Sequence, residues 1–245
     1  MIDTLKYTVI SDVGCVRENN EDMAYVAGRM VRDGQMQGEF ALSSRILGFA
    51  VADGMGGYEG GEVASDIVCR AFDTFVNKIE YQSDIKLIED VKTWAEETNE
   101  LVIDSSALRP ELAEMGTTFV GLVFAGEKLL LINVGDSRCY RIRGGILKQL
   151  SVDHSERERT GDLSVPGNLI YNFMGISPEY FVSDVTEYHP LFGDIYLLCS
   201  DGLSDMISEE VIEENIDSVA RLVELAKKAG GRDNITVIQL EITAL

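Results

Sequence analysis

Two apolar runs, residues 117–124 and 128–134, constrain this chain more than any other feature; Ala125-Gly126-Glu127 joins them. A short connector with a central glycine between strand-length runs is a hairpin signal. Neither run alternates apolar with polar, so both faces of the sheet they build must be covered. Because a hairpin pairs antiparallel strands, crossover helices alone cannot supply that cover. A second sheet on one face and helices on the other can. Further strands are predicted at 6–11, 24–27, 46–52, 139–143, 182–187, 194–199 and 234–242.

Two helices carry the i, i+3, i+4, i+7 stripe of a buried face. One runs through Val63, Ile67, Val68, Ala71, Phe72, Phe75, Val76 and Ile79. The other runs through Ile85, Ile88, Val91, Trp94, Thr98, Leu101 and Val102. Two more are expected at 208–215 and 218–228, the latter stopped by Gly230-Gly231. The predicted fold class is α+β: a central antiparallel β-sandwich flanked by helices on both sides, in four α-β-β-α layers. One domain is expected over residues 1–245, with a flap-like loop at about 155–178. Three of the four prolines (Pro166, Pro178, Pro190) fall between 155 and 193. Residues 29–44 read as irregular, with Asp33-Gly34 as a hairpin turn.

No apolar run approaches the length of a membrane helix. The first residues lack the basic-then-apolar pattern of a secretion signal, so a cytoplasmic location is expected. Four cysteines without a C-x-x-C pair argue against a zinc ribbon or disulfide framework and for reduced, mostly buried thiols. A net charge of −21, from 42 acidic and 21 basic residues, repels nucleic acid and anionic lipid.

The acidic residues are not scattered at random. Apolar strands run into Asp53-Gly54-Met55-Gly56-Gly57, into Gly135-Asp136-Ser137 and into Asp201-Gly202-Leu203-Ser204-Asp205. Gly231-Arg232-Asp233-Asn234 opens the last strand, and Asp22 heads another. Aspartate and glycine favour turns, which accounts for any one of these. Their shared form points further, to carboxylates at strand ends beside glycines that admit close backbone approach. Gathered at one end of a sandwich, such groups repel one another unless cations lie between them. Oxygen ligands suit Mg²⁺ or Mn²⁺ rather than zinc, and His154 and His189 are the only histidines.

In order and content these motifs resemble the metal-dependent serine/threonine protein phosphatases of type 2C, in a bacterial-like short form. Residues 12–22 (Asp12-Val13-Gly14-Cys15-Val16-Arg17-Glu18-Asn19-Asn20-Glu21-Asp22), Met115-Gly116-Thr117-Thr118 and Asp153-His154-Ser155 are also similar to that family's pattern. Roughly residues 7–241 are covered. The resemblance implies that Asp53 bridges two core ions, Mn²⁺ or Mg²⁺, with the Gly54 carbonyl as a further ligand. It implies that Asp201 and Asp233 hold one ion and Asp22 contributes to the other, with Asp136 and Asp205 at a third, weaker site. Arg17 would grip the substrate phosphate, its alternative being a surface ion pair with Glu18 or Glu21, while Glu21 and Asn234 would support the ligands from behind. The implied reaction is hydrolysis of phosphoserine or phosphothreonine on proteins by a metal-activated water, with no covalent intermediate. A phosphorylated protein substrate, an opposing serine/threonine kinase and a monomeric state are the expected partners and assembly. A catalytically inactive relative that binds phosphoproteins, or a small-molecule phosphatase, are the alternatives; retention of every expected aspartate favours activity. Met55 and Tyr58 stand where relatives carry histidines, so no general acid is assigned. The stretch 156–168 is shorter than the family's flap. His154 reads as structural and Cys199 as a buried strand residue rather than a nucleophile.

Overall fold

The computed structural model describes residues 4–42, 46–56 and 60–243; Tyr58 lies outside the described residues. The chain enters through β1 (Thr4–Asp12), β2 (Met23–Val26), β3 (Arg29–Val31), β4 (Gly34–Ala41), β5 (Leu47–Ala52) and β6 (Gly54–Met55). Helices α1 (Gly60–Lys78) and α2 (Asp84–Ala107) follow. Next come β7 (Gly116–Thr117), β8 (Phe119–Ala125), β9 (Lys128–Val134), β10 (Arg138–Arg143) and β11 (Ile146–Gln149). A short α3 (Glu156–Thr160) precedes β12 (Asp184–Tyr188) and β13 (Ile195–Cys199). The chain closes with α4 (Asp201–Ser204), α5 (Glu209–Glu214), α6 (Val219–Lys228) and β14 (Ile235–Thr243).

Two six-stranded antiparallel sheets result, ordered β11-β10-β13-β14-β1-β4 and β12-β9-β8-β5-β2-β3. The apolar hairpin explains why they stack. Along β8, Val120, Leu122 and Phe124 point into the core between the sheets. Phe119 and Val123 point the other way, into a core shared with α1 and α2. On β9, Leu129 and Leu131 face the first core, and Leu130, Ile132 and Val134 the second. A third core packs the outer face of the other sheet, with Tyr140, Leu197 and Val237, against Leu203, Ile212 and Leu222 of the short C-terminal helices. Three cores separate four layers, as the two-faced apolar strands require.

The structure corrects the reading of residues 29–44. They contain two strands, and the hairpin turn is Ala27-Gly28, not Asp33-Gly34. Ala27 and Gly28 take φ of 43° and 97° between the paired residues Val26 and Arg29, which suits a two-residue turn of the right-handed-twist type. Asp33, also at positive φ (51°), instead carries the chain from one sheet to the other. Val31 is buried in the inter-sheet core, and Met36 and Phe40 of β4 reach that same core from the opposite sheet. Strand β4 escaped notice because it is an edge strand, mostly exposed and diluted by glycine and glutamine. Strand β11 and the single turn α4 were likewise not predicted, and α2 continues five residues past Val102.

Phe119 is the most informative core residue to remove: it is fully buried, with its ring edge-on to Phe72 at 5.1 Å and tilted against Trp94 at 5.0 Å. Phe119→Ala should cost about 3–5 kcal/mol in urea unfolding. Leu163→Ala, at an 84% exposed loop position, should change stability by less than about 0.5 kcal/mol.

Candidate metal centre and phosphate cleft

Strand termini from both sheets meet around a cleft of about 320 Å³, lined by Asp53, Asp136, Asp201 and Asp233 together with Arg17, Glu21 and Gly54. Each carboxylate is placed by backbone or hydroxyl contacts. Asp53 directly follows β5, where its N–H donates to Thr118 Oγ1 (3.1 Å) and its carbonyl accepts from the Thr118 N–H (2.9 Å) and Thr117 Oγ1 (2.9 Å). Thr118 Oγ1 lies 2.7 Å from Ser137 Oγ, which ties the Asp53 strand end to the Asp136 turn. Gly54 must be glycine, because a Cβ there would fall 2.2 Å from the Gly61 carbonyl oxygen.

Asp22 and Asn234 lie beneath the cleft rather than on its wall. Asp22 is fully buried; its Oδ2 accepts from Ser200 Oγ at 2.7 Å, while its Oδ1 has no hydrogen-bond partner. Asn234 stitches the first motif to the last strand. Its Oδ1 accepts the Glu21 N–H at 2.8 Å, and its Nδ2 donates to the carbonyls of Val13 (3.0 Å) and Asn19 (2.9 Å). Asp201 begins α4, and Gly202 beside it packs where a Cβ would sit 1.9 Å from the Asn234 carbonyl oxygen. Asp205 closes that turn, donating its N–H to the Asp201 carbonyl at 2.7 Å. Asp233 accepts from Arg17 Nη2 at 2.7 Å. Arg17 is therefore ion-paired with Asp233, not with Glu18 or Glu21, and half of its side chain stays exposed at the cleft mouth.

His154 is buried and structural. Its Nδ1 accepts the Gly135 N–H (3.2 Å) and faces Asn172 Nδ2 (2.6 Å), which places the proton on Nε2, donated to Asp184 Oδ2 at 3.1 Å. The ring thereby fixes the Gly135-Asp136 turn against the loop after α3. Cys199 is fully buried in β13, and its thiol is pushed up to about 12 by burial, which removes any nucleophilic role.

The electrostatics of the cleft are uniform in sign. Burial pushes Asp22 up to about 7, only partly opposed by the hydrogen bond from Ser200. Asp136 rises to about 7, from burial and then the charges of Asp201 and Asp153. Asp201 rises to about 6, from burial and then Asp205 and Asp233. Asp53 stands well above the usual carboxylate range, from burial and repulsion by Asp22, Asp201, Asp136 and Asp233. Burial also raises Asp205 and Glu21. Among the described residues, Arg17 is the one cationic side chain lining the cleft. A buried ring of carboxylates with one orphaned oxygen fits divalent cations, whose charge would remove the penalty on every member. The carboxylates ring the cleft without closing into a cage: among the described residues, no three Asp, Glu, His or Cys side chains form a ready-made ion site. Ions held there would need water and backbone carbonyls as well, as suits Mg²⁺ or Mn²⁺.

The family model for protein phosphatase 2C matches residues 36–236. The chain belongs to the protein phosphatase 2C family. Its relatives include the serine/threonine protein phosphatase PstP of Mycobacterium tuberculosis, 34% identical over 97% of this chain. The chain spans 45% of that protein's length. It is 31% identical to the serine/threonine phosphatase stp of Listeria monocytogenes, covering 94% of this chain and 93% of that one. Among solved structures, the catalytic domain of PstP in complex with two manganese ions matches with a TM-score of 0.80 and 33% identity, covering 98% of this chain and 99% of that one. The two-sheet α+β fold described above is thus shared with that structure over nearly its whole length.

Several residues that build the site carried no assigned role in the sequence. Thr117, Thr118, Ser137 and Ser200 hold the aspartates in place; all four lie within the motifs, but only the aspartates beside them drew a role. Arg32 donates to the Asp22 carbonyl (2.9 Å), the Glu62 carbonyl (3.0 Å) and Ser65 Oγ (2.8 Å), and so fastens α1 to the first motif. A lone arginine in a weakly patterned stretch gives no signal for that.

A carboxyl whose folded pKa exceeds its unfolded value of about 4 keeps its proton in the folded state between the two values. There the folded state binds more protons than the unfolded one, so stability falls as pH rises through that window. With Asp22 and Asp136 near 7 and Asp201 near 6, chelator-treated protein should melt at a lower temperature at about pH 7.5 than at about pH 5.5. Added Mn²⁺ should raise the melting temperature more at the higher pH. Equal Mn²⁺ increments at both pH values would show that the carboxylates are not the ligands.

Proposed function

We propose that this chain hydrolyses phosphoserine and phosphothreonine on proteins with the help of two divalent cations, Mn²⁺ or Mg²⁺. The ring of buried, mutually repelling carboxylates beneath a half-exposed arginine carries the proposal. Asp53, Asp201 and Asp233 would hold the core ions, Asp22 would support them from below, and Asp136 and Asp205 would take a third. When bound, such ions supply Lewis acidity to phosphoryl oxygens and acidify coordinated water.

The chain's own residues do the rest. Arg17 presents a planar fork, and its bond to Asp233 fixes where that fork points, so two phosphate oxygens can be met at once. Gly54 and Gly56 let this wall of the cleft close against the backbone of Gly61 and Met115, which holds Asp53 beside the start of α1. Met55 lines the cleft and has no proton to give, so the leaving alkoxide is not protonated from that position. Asn168 and Ile170, from the loop after α3, border the same cleft and would contact residues flanking the phosphate. Kinship with PstP and stp supports protein substrates and, with them, an opposing serine/threonine kinase. We further propose a single catalytic domain that acts as a monomer in the cytoplasm. Four free cysteines fit a reducing compartment, and among the described residues no helix is long and apolar enough to cross a membrane.

The test is an assay on p-nitrophenyl phosphate and a phosphothreonine peptide, with metal removed and restored. Activity should need Mn²⁺ or Mg²⁺ and vanish with chelator; an inactive wild type across both ions would refute the proposal. Asp201→Asn should lose more activity than the roughly 10–100-fold typical of outer partners, whereas Asn234→Ala should fall within that range. Arg17→Lys keeps the charge but not the fork, and its main effect should be a raised KM for the phosphopeptide.

A further inference from the structure

Helices α1 and α2 leave a groove of about 690 Å³ on the outer surface, within the roughly 300–1,000 Å³ span of ligand sites. Ala71, Thr74, Phe75 and Lys78 form one bank at i, i+3, i+4, i+7 spacing; Asp90, Trp94, Glu97 and Leu101 form the other. Small side chains open the trough, and Phe75 and Trp94, 5.6 Å apart between ring centroids, make an aromatic floor. Leu101 stays 47% exposed at one end. The banks match the periodicity of a third helix laid between two.

The groove's charge selects its occupant. Of its four charged lining side chains, Glu80, Asp90 and Glu97 are acidic and only Lys78 is basic. Helix α2 carries seven carboxylates against two lysines, and one of those, Lys86, is committed to Asp90. A second copy of this chain, itself at −21, would bring like charge onto like charge. Anionic lipid is excluded for the same reason.

We propose that the α1–α2 groove docks a basic amphipathic helix of a partner protein. The partner's apolar face would rest on Phe75 and Leu101, over the edge of the largely covered Trp94, and its lysines or arginines would meet Glu80 and Glu97. Residues 71–78 lie 11 to 18 positions along α1 from Gly60, roughly 16–27 Å from the helix end that abuts the cleft. Docking is therefore compatible with turnover of a small phosphate ester.

Trp94 is the chain's single tryptophan and lines the groove floor, so its emission registers what settles over it. Titration with a leucine–lysine amphipathic helix free of aromatic residues should give a saturable emission change. The leucine–glutamate counterpart should give none. Leu101→Asp and Glu97→Lys should each weaken binding by about tenfold or more while p-nitrophenyl phosphate turnover stays at the wild-type rate. Should Leu101→Asp fail to fold by circular dichroism, the exposed Glu97→Lys change carries the test. The proposal is overturned if no saturable change is seen, if the acidic peptide binds equally, or if both variants bind as the wild type does. It also fails if the groove pairs with a second copy, seen as a sedimenting dimer that Leu101→Asp dissolves.

Discussion

Like charges at short range in a buried place organise this molecule. Asp22, Asp53, Asp136 and Asp201 each lose solvent and gain repelling neighbours, so each holds its proton far more tightly than a free aspartate. A fold has no reason to gather such groups unless something positive joins them. The sandwich supplies the rigid frame that keeps them together. Its strand ends cannot splay, because successive residues of β8 and β9 are locked alternately into two cores. The repulsion is thus borne by hydrophobic packing some distance away from the charges themselves.

The link between frame and site is a set of small hydroxyl and amide contacts. Thr118 and Ser137 join the end of β5 to the turn before β10, and Ser200 joins Asp22 to the start of β14. Asn234 gathers the loop that bears Arg17 and Glu21. Glycines let these backbones close to within distances no side chain tolerates, as at Gly54 and Gly202. The carboxylate cleft arises where two sheets, two loops and the first turn of α1 converge. Function is placed by contacts between segments more than 200 residues apart in sequence, Arg17 and Asp233 among them.

Much of this was legible in advance because the physical signals were local. Two-faced apolar strands imply cover on both sides, and a stripe at helical spacing implies a packed helix. Aspartates beside glycines at strand ends imply turns with carboxylates exposed to one another. Strands β3 and β4 were not legible, since an edge strand buries too little to impose a pattern. The Asp33-Gly34 pair was misleading for a related reason. Its backbone preference allows either a hairpin or a crossing between sheets, and only the burial of Val31 and Met36 in a common core chooses the crossing.

The sequence by itself determined the layers, the order of the motifs and the identity of the acidic residues, because periodicity and turn chemistry act over a few residues. Tertiary structure alone decided that Arg17 bonds to Asp233 rather than to its neighbours Glu18 and Glu21, that Asp22 lies beneath the cleft with one oxygen unpartnered, and that His154 serves the Asp136 turn. Those outcomes depend on which distant segments share a surface, and on how far each carboxylate is removed from water. No stretch of sequence encodes either quantity until the chain has closed on itself.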